Sequence, residues 1–208
     1  MLLKIDSNGV QQWLNIYSAY NSGGNITKDI FVRTASDGGF VVAGSVYSAP
    51  TSSDFLLFKV DTSGSEIWSH TYGTTVVERV LSFVEADSNG YLLAGDKDYK
   101  YYALRTDAAG AQVWDYVSSD TGWFLDVAKS PDNSFVFHAG GNFPVVAKLS
   151  PTGTSLWNKT FACSTAFSGL AIDATTDGGS IVANTCGDIG SDYSVWIFKL
   201  DANGNVEW

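Results

Sequence analysis

The chain has 208 residues, a formal net charge of −10 and a pI near 4.4, so it lacks the basic surface that phosphate backbones require, and nucleic acid is excluded as a partner. Hydrophobic residues make up 45% of it, but no apolar run approaches the roughly 18 residues of a membrane span. Only 16% of residues are charged, while glycine and tryptophan are abundant, the profile of an all-β extracellular or cell-surface protein that buries one substantial core.

Read from the N-terminus, the chain opens on Lys4-x-Asp6-x-x-Gly9-x-x-x-Trp13. The same spacing returns at Lys59 to Trp68, Arg105 to Trp114, Lys148 to Trp157 and Lys199 to Trp208, which makes this a repeat protein. The turn tetrads end on Gly9, Gly64, Gly110, Gly153 and Gly204. Each begins with Asp except Ser150, which is followed by Pro151, and these are the preferences of a type I turn. A short apolar run precedes each turn, as in Phe55 to Phe58 or Val195 to Phe198, and reads as a strand buried on both faces. The tryptophans Trp13, Trp68, Trp114, Trp157 and Trp208 are expected as wedges between one sheet and the next, the internal ones largely buried.

Between these hairpins a second mark recurs, at Asp37-Gly-Gly-Phe, Asp87-Ser-Asn-Gly-Tyr, Asp132-Asn-Ser-Phe and Asp177-Gly-Gly-Ser. Each is a tight turn that feeds an apolar strand and follows another short strand. The unit therefore has four strands, here A, B, C and D, with A near 30–34, B near 40–46, C near 55–60 and D near 65–71 in the first complete copy. Unit boundaries fall at 1–18 (a C–D half), 28–72, 78–117, 124–161 and 168–208. Four short antiparallel strands per unit of this length predict an all-β fold, a β-propeller of four-stranded blades with four full repeats plus a half, forming one domain or a propeller fragment.

The C–D segment, as in Ala103-Leu-Arg-Thr-Asp-Ala-Ala-Gly-Ala-Gln-Val-Trp114, resembles the tryptophan-docking motif of the pyrroloquinoline-quinone-like propeller superfamily. Its combination with Asp-Gly-Gly-Phe is similar to the tandem propeller repeats of secreted and surface proteins of bacteria and archaea. Quinoprotein dehydrogenases of that superfamily hold their cofactor over adjacent cysteines with calcium beside it. Cys163 and Cys186 are not adjacent, so that activity is not implied and no cofactor is expected.

In an antiparallel meander the A–B and C–D turns share one face, and the B–C and D–A connections share the other. The second face collects the variable loops, and loops on a rigid scaffold carry function. Tyr17, Tyr20, Tyr47, Tyr99, Trp123 and Tyr193 fall on or beside those loops and are the candidate contacts to a protein or a glycan.

Chemistry is sparse. His70 and His138 stand in different repeats without a ligand at metal spacing, so no metal site is expected. The Asp-x-Asn-Gly tetrads at Asp6, Asp87 and Asp201 lack the later acids of a calcium loop. No nucleophile elbow or zinc-protease motif occurs. The reading is a non-catalytic binding module, with a glycoside hydrolase or lyase assembled from carboxylates of two blades as the alternative. Cys163 and Cys186 fall in one repeat and are candidates for a disulfide, and Asn25 and Asn158 open sequons. The chain enters the repeat at once without a signal-peptide h-region. Both ends supply the same C–D half, so an incomplete ring is expected, with further blades or self-association at open blade edges.

Overall fold

The computed structural model describes residues 1–17, 26–48, 52–140, 143–162, 166–186 and 194–208. The chain divides into two compact units, Met1–Val80 and Leu81–Trp208. In the first, β1 (Leu2–Ile5) and β2 (Gln11–Asn15) form a hairpin, and β3 (Ile26–Thr34), β4 (Phe40–Ser48), β5 (Ser52–Val60) and β6 (Glu66–Tyr72) form a four-stranded antiparallel sheet in chain order.

A second sheet is built from β7 (Glu78–Glu85), whose first residues belong to the first unit, with β8 (Tyr91–Lys97), β9 (Lys100–Thr106) and β10 (Gln112–Thr121). The third is β11 (Trp123–Lys129), β12 (Phe135–Gly140), β13 (Val145–Leu149) and β14 (Ser155–Thr160). The last has three strands, β15 (Ala166–Ala174), β16 (Ser180–Cys186) and β17 (Ser194–Leu200), and a bridge from Leu200 to Val206 begins a fourth. Each complete sheet is thus an A-B-C-D meander.

The C–D turns form for the reason their tetrads imply. In all five, the glycine N–H donates to the carbonyl of the first turn residue at 3.0–3.1 Å, and the glycine takes φ between +79° and +82°. A side chain there would be strained, which is why the position is glycine every time. The first residue then fixes the loop with its side chain. Asp61 Oδ1 accepts the amides of Ser63 and Ser65 at 2.8 and 2.9 Å, and Ser150 Oγ does the same for Thr152 and Thr154 at 3.3 and 3.0 Å. The exchange of Asp for Ser preserves the geometry.

The basic residue of the motif has a partner that spacing alone does not reveal. In the four later copies it is buried on the C strand and pairs with the aspartate of the A–B turn of its own sheet: Lys59 with Asp37, Arg105 with Asp87 at 2.9 Å, Lys148 with Asp132 at 3.3 Å and Lys199 with Asp177 at 2.8 Å. The cation's hydrogen bond draws Asp37, Asp87 and Asp177 below the usual carboxylate range, and in Asp132 hydrogen bonds from Ser134 and the charge of Lys148 outweigh the opposing burial. A buried cation without such a partner would be strongly destabilising, so the two turns of one sheet are locked together. Lys4, in the lone hairpin, reaches instead to the Thr62 carbonyl at 3.4 Å.

Packing between sheets follows the tryptophans. Trp13 Nε1 donates to Thr62 O at 3.0 Å, Trp114 to Pro151 O at 2.9 Å and Trp157 to Ala202 O at 3.1 Å, in each case the second residue of the next C–D turn. The ring lies on the glycine of that same turn. A Cβ added to Gly153 would sit 2.8 Å from Trp114, and one added to Gly204 would sit 3.0 Å from Trp157. The glycine and the tryptophan are therefore constrained twice, by the turn that holds one and by the ring from the repeat before. Trp13, Trp68, Trp114 and Trp157 are neither fully buried nor exposed. Trp208 is 65% exposed.

Candidate binding face

The loop-side ends of the sheets are built differently from the sequence expectation. The span 96–101 is a hairpin in which Lys97 pairs with Lys100 and only Asp98 and Tyr99 turn. Both take positive φ, 49° and 60°, the backbone of a type I′ turn, which matches the twist of the flanking strands. Asn or Gly usually occupies these positions, so a tyrosine there is unusual and locally strained. The Tyr99 carbonyl accepts the Gly122 N–H at 2.7 Å. The span 118–123 is also short, because β10 continues to Thr121 and β11 starts at Trp123. Gly122 fits between them with its Cα against the Tyr101 ring, where a Cβ would overlap.

The candidate aromatics separate accordingly. Tyr47, near the end of β4, is 47% exposed, and Tyr99, at the hairpin tip, is 59% exposed. Trp123 is half-buried at the start of β11, opposite Gly140. Tyr17 is used for packing: its hydroxyl donates to Gly64 O at 2.7 Å and its ring lies 5.2 Å from that of Phe58. Tyr20 and Tyr193 lie outside the described residues, as do Asn25 and Cys163. Asn158 is exposed on β14, a strand and not a loop. Cys186, at the end of β16, is buried and disulfide-bonded.

Several acids lie in strands, outside the turn tetrads. Asp54 and Glu78 are buried in the first unit and Asp96 in the second, all near the loop-side ends of their strands. Glu78 accepts the Thr74 hydroxyl at 2.6 Å, and the Asp54 carboxylate occupies the space a side chain at Gly73 would need. Asp126, on β11, links three sheets by accepting the Ser82 hydroxyl at 2.8 Å and the Ile172 amide at 3.0 Å. Each of these acids adjoins or interrupts an apolar strand run instead of opening a turn tetrad, and that is the signal by which they stand out.

The two histidines differ. His70 is exposed on β6, between the rings of Trp68 at 5.5 Å and Tyr72 at 6.1 Å. His138 is fully buried on β12, and burial pushes its pKa down to about 4 against the weaker pull of Asp126. It is therefore neutral near pH 7. Among the described residues no cluster of three His, Cys, Asp or Glu has the geometry of a metal site. Among the described residues, no helix is long and apolar enough to cross a membrane.

Comparison with solved structures supports the architecture. A protein of unknown function from Bacteroides caccae superposes with a TM-score of 0.64 at 14% identity, over 98% of this chain and 72% of that one. BamB from Moraxella catarrhalis gives 0.58 at 14% identity, over 89% and 50%. A puromycin hydrolase gives 0.53 at 16% identity, over 85% and 28%. The chain thus spans half the length of BamB and less of the hydrolase. No family model and no curated protein matches the sequence. The fold these sheets and likenesses define is a β-propeller of four-stranded antiparallel blades.

Proposed function

We propose that this chain is a non-catalytic propeller scaffold, extracellular or at the cell surface, that contacts a protein or a glycan through the face of its B–C and D–A connections. The observation that carries this reading is the exposed Tyr99, held in a left-handed backbone at the tip of a tight hairpin, with Tyr47 exposed at the same end of its own sheet. Rigid, exposed tyrosines give a large contact area at low entropic cost.

The glycoside-active alternative requires carboxylates free to act on a sugar. Asp37, Asp87, Asp132 and Asp177 are engaged by buried cations, Asp61, Asp107 and Asp201 by turn amides, and Asp126 by its two donors. We assign the chain to the pyrroloquinoline-quinone-like propellers, a reading supported by the indole that docks on the next turn. Cys186 is assigned to a bridge with Cys163, the other cysteine of the chain. Such a loop of about 22 residues would contribute roughly 3 kcal/mol.

The test is a glycan array and a pull-down with the wild type and with Tyr47, Tyr99 and Tyr193 replaced together by alanine. Binding should vanish while the melting temperature stays nearly unchanged. Loss of binding on substitution at the Asp61 or Asp107 turns, with folding intact, would assign function to the opposite face.

A further inference from the structure

We propose that the tip of the β8–β9 hairpin binds a carboxylated sugar of an acidic glycan, with the Tyr99 ring stacked on the sugar and the Lys97 and Lys100 ammonium groups paired with its carboxylate. The inference rests on the loop-face reading above and narrows it to one hairpin and one ligand class.

The tip departs from ordinary local preference more than once. Among the described residues with positive φ, eight are glycines, and Ser88, Asn89, Asn133 and Asp98 are small and polar. Tyr99, at φ 60°, is the one large side chain of that set, at a position where Asn or Gly would be at ease. Lys97 and Lys100 stand directly opposite each other across the hairpin, and like charges so placed destabilise a strand pair. The Lys97 Nζ lies 5.2 Å from the centroid of the Tyr102 ring, and the Tyr102 hydroxyl donates to Asp115 at 3.4 Å. The tip is also held in place, since the Tyr99 carbonyl accepts the Gly122 N–H at 2.7 Å. Unfavourable local choices that coincide on a rigid, exposed feature mark a place where function, and not stability, sets the residues.

Charge points to the kind of ligand. The chain has 12 basic residues against 22 acidic ones, and Lys59, Arg105, Lys148 and Lys199 are buried against their aspartates. Two lysines side by side at a tip are therefore unusual on this molecule, and the exposed Asp98 next to them offsets only one of their charges. An anion would relieve the repulsion between them. Size then selects its source. One tyrosine ring offers roughly 200 Å², against about 800 Å² per partner in a stable protein interface, so a two-residue tip suits a single sugar ring better than a protein surface. The apolar face of a pyranose matches the ring, and the carboxylate of a uronic or sialic acid matches the lysines.

Titration calorimetry with an oligogalacturonate and with a sialylated oligosaccharide, each beside its methyl ester, tests this. At least one of the two acids should bind, and its ester should bind about tenfold more weakly, the worth of one charged hydrogen bond. Lys97→Gln and Lys100→Gln should each weaken binding of the acid by about the same factor and reduce its salt dependence. Tyr99→Gly should abolish binding with a nearly unchanged melting temperature, because glycine accepts the positive φ. Tyr99→Asn, which also tolerates that backbone, is the second variant should the first lose its fold. Failure of both acids to bind, or binding that these tip variants leave intact, would overturn the inference. The loop-face reading is then judged separately, by the joint replacement of Tyr47, Tyr99 and Tyr193. Poly-glutamate bound as tightly as the sugar and lost in the same variants would assign the tip to an acidic polypeptide, and would overturn the inference equally.

Discussion

The wall of the β3–β6 sheet beside the β1–β2 hairpin and the matching wall of the β11–β14 sheet have the same strand order and, up to a bulge between Phe124 and Asp126, the same pairing register, yet one is half open and the other closed. On the closed wall Phe124 stacks 4.3 Å from Phe137 and 5.2 Å from Tyr101. On the open wall the D-strand contacts persist, since Trp13 meets Phe40 edge-on at 5.9 Å much as Trp114 meets Phe135 at 6.4 Å. Cover over the A and B strands is what differs. A blade's internal hydrogen bonds are set by its own repeat, but the burial of its apolar face depends on the repeat beside it, the nearest-neighbour logic of repeat proteins.

The sharpest way to break this comparison is to truncate equivalent positions. Phe124→Ala should cost about 3–5 kcal/mol, as deletion of a fully buried ring does, whereas Ile30→Ala should cost no more than about 0.5 kcal/mol. Denaturant titration of both variants checks this, and equal losses would mean that the two walls are equally covered.

His138, fully buried on the same β12 strand that supplies Phe137, gives the closed side a pH dependence. Its folded pKa of about 4 lies below the unfolded value near 6.5. The unfolded chain therefore binds the extra proton first, and stability is fully present above about pH 6.5 and declines as the pH falls toward 4, by up to roughly 3 kcal/mol. His138→Phe should flatten that slope in unfolding midpoints measured from pH 7 to 4. A second loss, below the ordinary carboxylate range, should follow as the aspartates that clasp Lys59, Arg105, Lys148 and Lys199 become protonated.

The docking turns give an intermediate effect. Trp114→Ala should cost about 2–3 kcal/mol, less than a fully buried indole, and Trp208→Ala almost nothing. Gly153→Ala adds a clash with Trp114 to its backbone strain, while Gly9→Ala, with nothing within 4 Å of the added carbon, carries the strain alone, about 1 kcal/mol. Thermal melts of the two glycine variants should differ in that order. The latch is a further test: Asp37→Asn, whose amide oxygen can still accept from the buried Lys59 but carries no charge, should cost about 1–2 kcal/mol, against no measurable change for Lys4→Met.

Much of the blade was legible in the sequence because its determinants are local. A turn needs glycine at positive φ and an acceptor side chain at its first position, and an apolar run between turns needs a ladder partner on each side, so five tetrads and their flanking strands sufficed for the meander. The motif's lysine and tryptophan were visible as a pattern, but their partners were not. Asp37 lies 22 residues before Lys59, and the turn that receives Trp114 lies 37 residues after it, distances that only the stacking of sheets closes. The candidate face was legible to a similar degree. Tyr47 and Tyr99 are exposed where loop-side residues are expected to be, whereas Tyr17 is drawn inward by the Gly64 carbonyl of a neighbouring turn, and Asp54 is buried against Gly73 from a later connection. Local backbone preference is written within a few residues of where it acts. Burial depends on which repeat comes to lie against which, and tertiary structure alone decided that.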